Sequence, residues 1–149
     1  MNGQRGMTIA ELVMAIAATG IIVVFLGTAI YQIFNVSGYG NDRLTATHEL
    51  ENTAHWFNID GQGAKAATGG ATLALTMADD SSITYTLAGT DLRRTTGGDE
   101  MILARNITSA NFTIDARVVT MSLTSSPPGR HGVSESGTYL VYLRPGESG

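Results

Sequence analysis

The residues best placed to do chemistry stand near the N-terminus, where Arg5, Gly6, Met7, Thr8, Ile9, Ala10 and Glu11 lead into residues 12–41, a stretch with no charged side chain. A carboxylate at the membrane end of such a stretch costs about 2.5–3.5 kcal/mol on insertion scales unless something offsets its charge. In the uncut chain no cation lies one turn from Glu11. Two accounts of Glu11 are open. At a helix N-terminus a negative charge is favoured by the dipole, by about 0.3–1 kcal/mol. Alternatively, cleavage between Gly6 and Met7 frees an α-amine about one helical turn from Glu11, and the missing positive charge comes from its own chain or a neighbour's.

Other candidates carry less. His48, Glu51, Asn52 and His55 fall at spacings of three, four and seven, so one helix face could present them to a metal. No further strong ligand accompanies them and the spacing is not HExxH, so they read as a solvated polar face and no metal site is assigned. Asp79-Asp80 and Asp99-Glu100 are acidic pairs in turns. A hard cation such as calcium wants about six to eight oxygens, which nothing local supplies, and turn chemistry accounts for both pairs. Arg93 and Arg94 are neighbours on a strand and point to opposite faces, which argues against a basic cluster. Nucleophile-elbow, Walker and dinucleotide-binding patterns are absent, and Gly61-Gln62-Gly63 is too short a glycine pattern to count, so no catalytic residue and no cofactor is assigned and the chain is read as a non-enzyme. Asn35-Val36-Ser37, Asn106-Ile107-Thr108 and Asn111-Phe112-Thr113 match a common sequon and receive no function. With no cysteine, disulfides, thiol nucleophiles and cysteine-ligated metals are excluded. Nine basic against 13 acidic residues, a net −4, with no basic run, argue against nucleic acid as the partner.

The elements that must position these residues follow from hydrophobic pattern. At 149 residues the chain is long enough for one core. Residues 12–34 form an apolar run of 23 that would span about 35 Å as a helix, enough for a hydrocarbon layer of roughly 30 Å. Ordinary signal cleavage is disfavoured, because the small residues Ala15-Ile16-Ala17 open the run instead of following it. Arg5 precedes the run and Asp42 is the first charge beyond it, which puts the N-terminus in the cytoplasm and the C-terminal domain outside. Ala15, Ala17, Ala18, Gly20 and Gly27 would let apolar helices approach closely. Glycines and polar residues at 35–41 predict a bend or a frayed hinge. From 42 to about 67 a helical stripe of Leu50, Ala54, Phe57, Gly61 and Ala64 resumes, with Glu49, Glu51, Asp60 and Lys65 off it, and Gly69-Gly70 is the expected stop. The period then changes to two: strands are expected around Leu73–Met77, Ile83–Leu87, 91–95, 101–104, Phe112–Ile114, Val119–Leu123 and 138–144, with a loop over 125–137. The expected class is α+β, a long helix with a membrane-spanning half and an amphipathic half packed on a small antiparallel sheet. The divisions are residues 1–6, a leader; 7–36, the transmembrane and assembly helix; 37–69, its amphipathic extension; and 70–149, the β domain.

Arg5-Gly6-Met7-Thr8-Ile9-Ala10-Glu11-Leu12, followed by about 20 apolar residues, resembles the class III prepilin signal of type IV pilins and type II secretion pseudopilins. The order of later strands, including Leu92-Arg93-Arg94 and a closing strand ending in Leu143-Arg144, is similar to minor pseudopilins of the GspJ/PilW type. The resemblance implies a pilin-like fold, cleavage after Gly6 and N-methylation of Met7 by a membrane prepilin peptidase, and assembly into a pilus or pseudopilus. Met7 stands where the family commonly has Phe. Because the family's tip subunit typically lacks the acid, Glu11 implies a subunit with another above it. The expected partners are other pilin or pseudopilin subunits, the peptidase and the membrane, with Glu11 in an assembly salt bridge. The competing expectations are an uncleaved, signal-anchored extracytoplasmic binding module, or a major pilin.

Overall fold

A computed structural model describes residues 8–129 and 132–145. Gly6 and Met7, the expected processing pair, lie outside the described residues. The elements are α1 (Ile9–Gly63), β1 (Ala64–Thr68), β2 (Thr72–Met77), β3 (Ser82–Ala88), β4 (Asp91–Thr96), β5 (Asp99–Ala104), β6 (Ile107–Asp115), β7 (Val118–Ser125) and β8 (Glu135–Tyr142). The class is α+β, with a long N-terminal helix and antiparallel sheets. The chain forms two compact units, Met1–Gly38 and Tyr39–Gly149.

In the first unit the helical residues bury nothing large: Ile9 is 83% exposed and Phe25 71%. A helix apolar all round belongs in a lipid or helical environment, and α1 contains a stretch long and apolar enough to cross a membrane. Thr19 and Thr28 donate their hydroxyls to the carbonyls of Ala15 and Val24, at 2.7 and 2.9 Å. Their polar atoms are thus satisfied within the helix, as an apolar surrounding requires. Gly20 and Gly27 are seven residues apart, close to two full turns, so they share one face, while Ala15 and Ala18 sit on another. A Cβ at either glycine would meet nothing within 4 Å.

In the second unit α1 buries Ala46, Leu50, Thr53, Phe57, Asp60 and Gly61. Strands β1 to β5 form a five-stranded meander and β6 to β8 a three-stranded one, all pairs antiparallel. An antiparallel bridge between Gly70 and Phe112 joins the sheets, as does the Arg144 amide donating to the Ala64 carbonyl at 2.9 Å. Alternation in β7 sends Val119, Met121 and Leu123 inward to meet Leu73, Leu75, Tyr85, Leu92 and Phe112. Tyr85 lies edge-on to Phe57, ring centroids 6.5 Å apart. Gly61 permits a close approach of helix and strand, since a Cβ there would stand 2.3 Å from Val141 Cγ1. The helix meets the C-terminal end of β5: Asn52 donates its side-chain amide to the Leu103 carbonyl, and Glu49 accepts from the amide of Arg105, just beyond the strand, at 2.8 Å. At that end the edge strand's unpaired groups thus find partners that blunt pairing with another chain.

Several expectations need correction. There are two sheets where one was expected. Residues 35–41 are helical, so their glycines and polar residues do not break the helical hydrogen bonding as expected. The amphipathic helix does not reach 69: it stops at Gly63, and residues 64–68 are a strand because pairing with β2 outweighs their local preference. Gly70 is therefore no helix stop; its positive φ of 132° serves the bridge to Phe112. Ser125 and Glu135, placed in a loop by their small-residue surroundings, end β7 and begin β8 as a register pair.

One turn is strained. Ala116, between β6 and β7, has φ 53°, a region that costs an ordinary L-residue about 1–2 kcal/mol. Ala116→Gly is expected to raise unfolding stability by about 0.5–1 kcal/mol after glycine's greater chain entropy is counted, read as a shift in urea midpoint. No shift would show that the turn stores no strain.

Candidate functional site

The N-terminal site is a reciprocal cap. Thr8 precedes the helix, and its hydroxyl accepts from the Glu11 amide at 3.3 Å. Glu11 Oε2 in turn accepts from the Thr8 amide at 2.9 Å and from the Thr8 hydroxyl at 3.1 Å. Thr-x-x-Glu is the capping-box pattern, in which two orphan amides of the first turn are satisfied together. That pattern is readable in Thr8-Ile9-Ala10-Glu11 from spacing, independently of charge. Among the described residues no hydrogen bond engages Oε1, so the carboxylate keeps one oxygen for another donor.

The other candidates separate. His48 Nδ1 stands 3.9 Å from Glu51, Asn52 turns to Leu103, and His55 stacks edge-on against Trp56, so the four do not converge. Among the described residues no group of three or more His, Cys, Asp or Glu is placed to hold a metal. Asp79 accepts from the Ser81 amide and hydroxyl at 3.0 and 2.6 Å, bonds that hold its carboxyl below the usual range. Asp80 pairs with Lys65, and Glu100 with Arg93. Both acidic turns are thus engaged in local contacts.

Arg94 faces the opposite way from Arg93 and forms a buried polar cluster that hydrophobic pattern did not reveal. Its Nε and Nη2 grip Asp60 through both carboxylate oxygens, at 2.6 and 2.9 Å. The Tyr85 hydroxyl donates to Asp60 Oδ2, and the guanidinium lies 5.0 Å from the centroid of the Trp56 ring. Asp60 was expected off the apolar stripe, yet it is only 3% exposed. Its position three residues after Phe57 on a 3.6-residue period was the available signal that it would face inward and require a cation. The Asp60 hydrogen bonds raise the Arg94 pKa, so its charge is secure. Planar, two-point pairing with stacking on an aromatic face suits Arg and not Lys.

Burial first, and then the bond to Asp60, push the Tyr85 phenol well above its ordinary range. The sign follows: above about pH 10 the unfolded chain loses this proton while the folded chain keeps it, so the contribution present below that pH is lost as pH rises. The denaturation midpoint is expected to fall more steeply between about pH 9 and 11 in the parent chain than in Tyr85→Phe. Equal slopes would mean that Tyr85 ionises freely.

The N-terminal cap stands at the start of an exposed apolar helix, whereas the Asp60–Arg94 cluster joins α1 to β4. Compared with known protein families, curated proteins and solved structures, the chain matches none of them.

Proposed function

We propose that this chain is a structural subunit, a minor pilin or pseudopilin, of a type IV pilus or type II secretion pseudopilus. The carrying observation is an apolar helical stretch with no buried residue in its membrane-length window, whose first turn is capped by Thr8 and Glu11 and follows Arg5, Gly6 and Met7 in the sequence. Before assembly the helix is held in the cytoplasmic membrane, its N-terminus in the cytoplasm and its β domain outside. Prepilin peptidase cuts after Gly6 and methylates Met7, and the helix then enters a bundle of similar helices. Ala15, Ala18, Gly20 and Gly27 lie at close approaches between helices, on the two faces their spacing defines. Glu11 takes an N-terminal amine on its remaining oxygen while Thr8 holds the other. Because desolvation offsets much of the attraction of a buried pair, this contact sets axial register more than it adds stability.

The test is intact mass and N-terminal sequence of the chain from host membranes with and without active prepilin peptidase. A methylated chain starting at Met7 only when the peptidase is active is the expected result. A chain starting at Met1 in a peptidase-competent host would overturn the reading and leave a signal-anchored binding module.

A further inference from the structure

Residues 64–68, Ala-Lys-Ala-Ala-Thr, are held as a strand by a sequence that prefers to be helix. Alanine and lysine rank among the strongest helix formers and are depleted in strands. The preceding helix passes into β1 with no loop residue between them, Gly63 being the last helical position and Ala64 the first extended one. The apolar stripe of α1, at Phe57 and Gly61, also continues in helical register to Ala64, so Ala64 lies on the stripe in either conformation.

Beyond its ladder with β2, the Arg144 amide on the Ala64 carbonyl and the half-buried Ala67, few contacts hold the strand. β1 sits at the edge of the five-stranded sheet, with an irregular register between Ala64 and Ala66. Of its five side chains only Ala64 is fully buried. Lys65 pairs with Asp80, which is 82% exposed, and surface pairs of this kind hold weakly. Gly61 is held by its approach to Val141, but a Cβ at Gly63 would meet only the flexible tip of Met77, at 2.8 Å. The junction itself is therefore poorly defended against helix.

We propose that residues 64–68 are a two-state segment, the strand β1 in this structure and a continuation of α1 in a minor state, and that conversion bares the edge of β2. Local propensity and tertiary pairing oppose each other here, the condition under which two packings of one sequence come close in free energy. The inference does not rest on the filament reading.

The experiment is amide hydrogen exchange and Cα chemical shifts by NMR on the full chain in detergent micelles. In the parent chain the amides of 66–68 are expected to exchange at least about tenfold faster than those of central β3. Gly63→Ala should move the Cα shifts of 64–68 toward helix and speed exchange in β2. Ala66→Val, at an exposed position, should slow exchange of β1. If Gly63→Ala loosens β3 as well, that variant is globally destabilised and Ala66→Val decides. Protection of β1 equal to that of β3, or shifts that neither substitution moves, would overturn the proposal.

Discussion

Arg94→Ala is expected to lower the stability of the folded chain by about 3–5 kcal/mol, the largest single-residue effect anticipated here, because it strands the Asp60 carboxylate without a cation. The loss combines three contacts: the two-point ion pair, the stacking on Trp56 and the polarisation of the Tyr85 bond. Arg94→Lys should recover only part, since an ammonium cannot make the forked contact. Replacing both partners by apolar residues of similar size, Asp60→Leu with Arg94→Met, should recover part of the loss, because neither charge then needs partnering while the buried Tyr85 hydroxyl loses its acceptor. Urea unfolding followed by the fluorescence of Trp56, the sole tryptophan, measures all four chains. An Arg94→Ala cost below about 1 kcal/mol, the ordinary range for an exposed pair, would show that Asp60 finds water instead.

On the proposed reading as a pilin or pseudopilin subunit, Glu11→Ala is expected to leave membrane insertion and cleavage largely intact while reducing incorporation into filaments. The capping box makes a second substitution informative. Glu11→Gln keeps an acceptor for the Thr8 amide, and glutamine serves in such caps, but it removes the charge. If register depends on pairing with an amine, both variants fail to assemble. If the role of Glu11 is only to start the helix, Glu11→Gln assembles and Glu11→Ala does not. Co-purification of each variant with sheared filaments, normalised to its membrane level, separates these results. Normal incorporation of both would sink the register role.

Much of the molecule was legible from pattern. The hairpin of β2 and β3 and that of β6 and β7 were signalled by period-two alternation ending in Asp-rich or polar turns, because an exposed face and a buried face repeat every second residue. Of the stripe of Leu50, Ala54, Phe57, Gly61 and Ala64, the residues Leu50, Phe57 and Gly61 are buried on the helix face that meets the core, Ala54 is half-buried, and Ala64 is buried in β1. What escaped depends on partners far along the chain. Nothing near Asp60 announces Arg94, 34 residues away. The joining of the two sheets turns in part on the bridge at Gly70 and Phe112, which no local rule specifies.

The sequence by itself determined the elements whose cause is local: an uncharged apolar run, a Thr-x-x-Glu cap and alternating strands, each decided by side chains within one or two turns of one another. Only the tertiary structure decided where α1 ends, because strand pairing with β2 overrules the helical preference of residues 64–68. It also decided the fate of Asp60, whose burial is tolerable only once β4 supplies a guanidinium and β3 a phenol. Such outcomes rest on the free energy of contacts between distant segments, and those contacts exist only after the chain has folded.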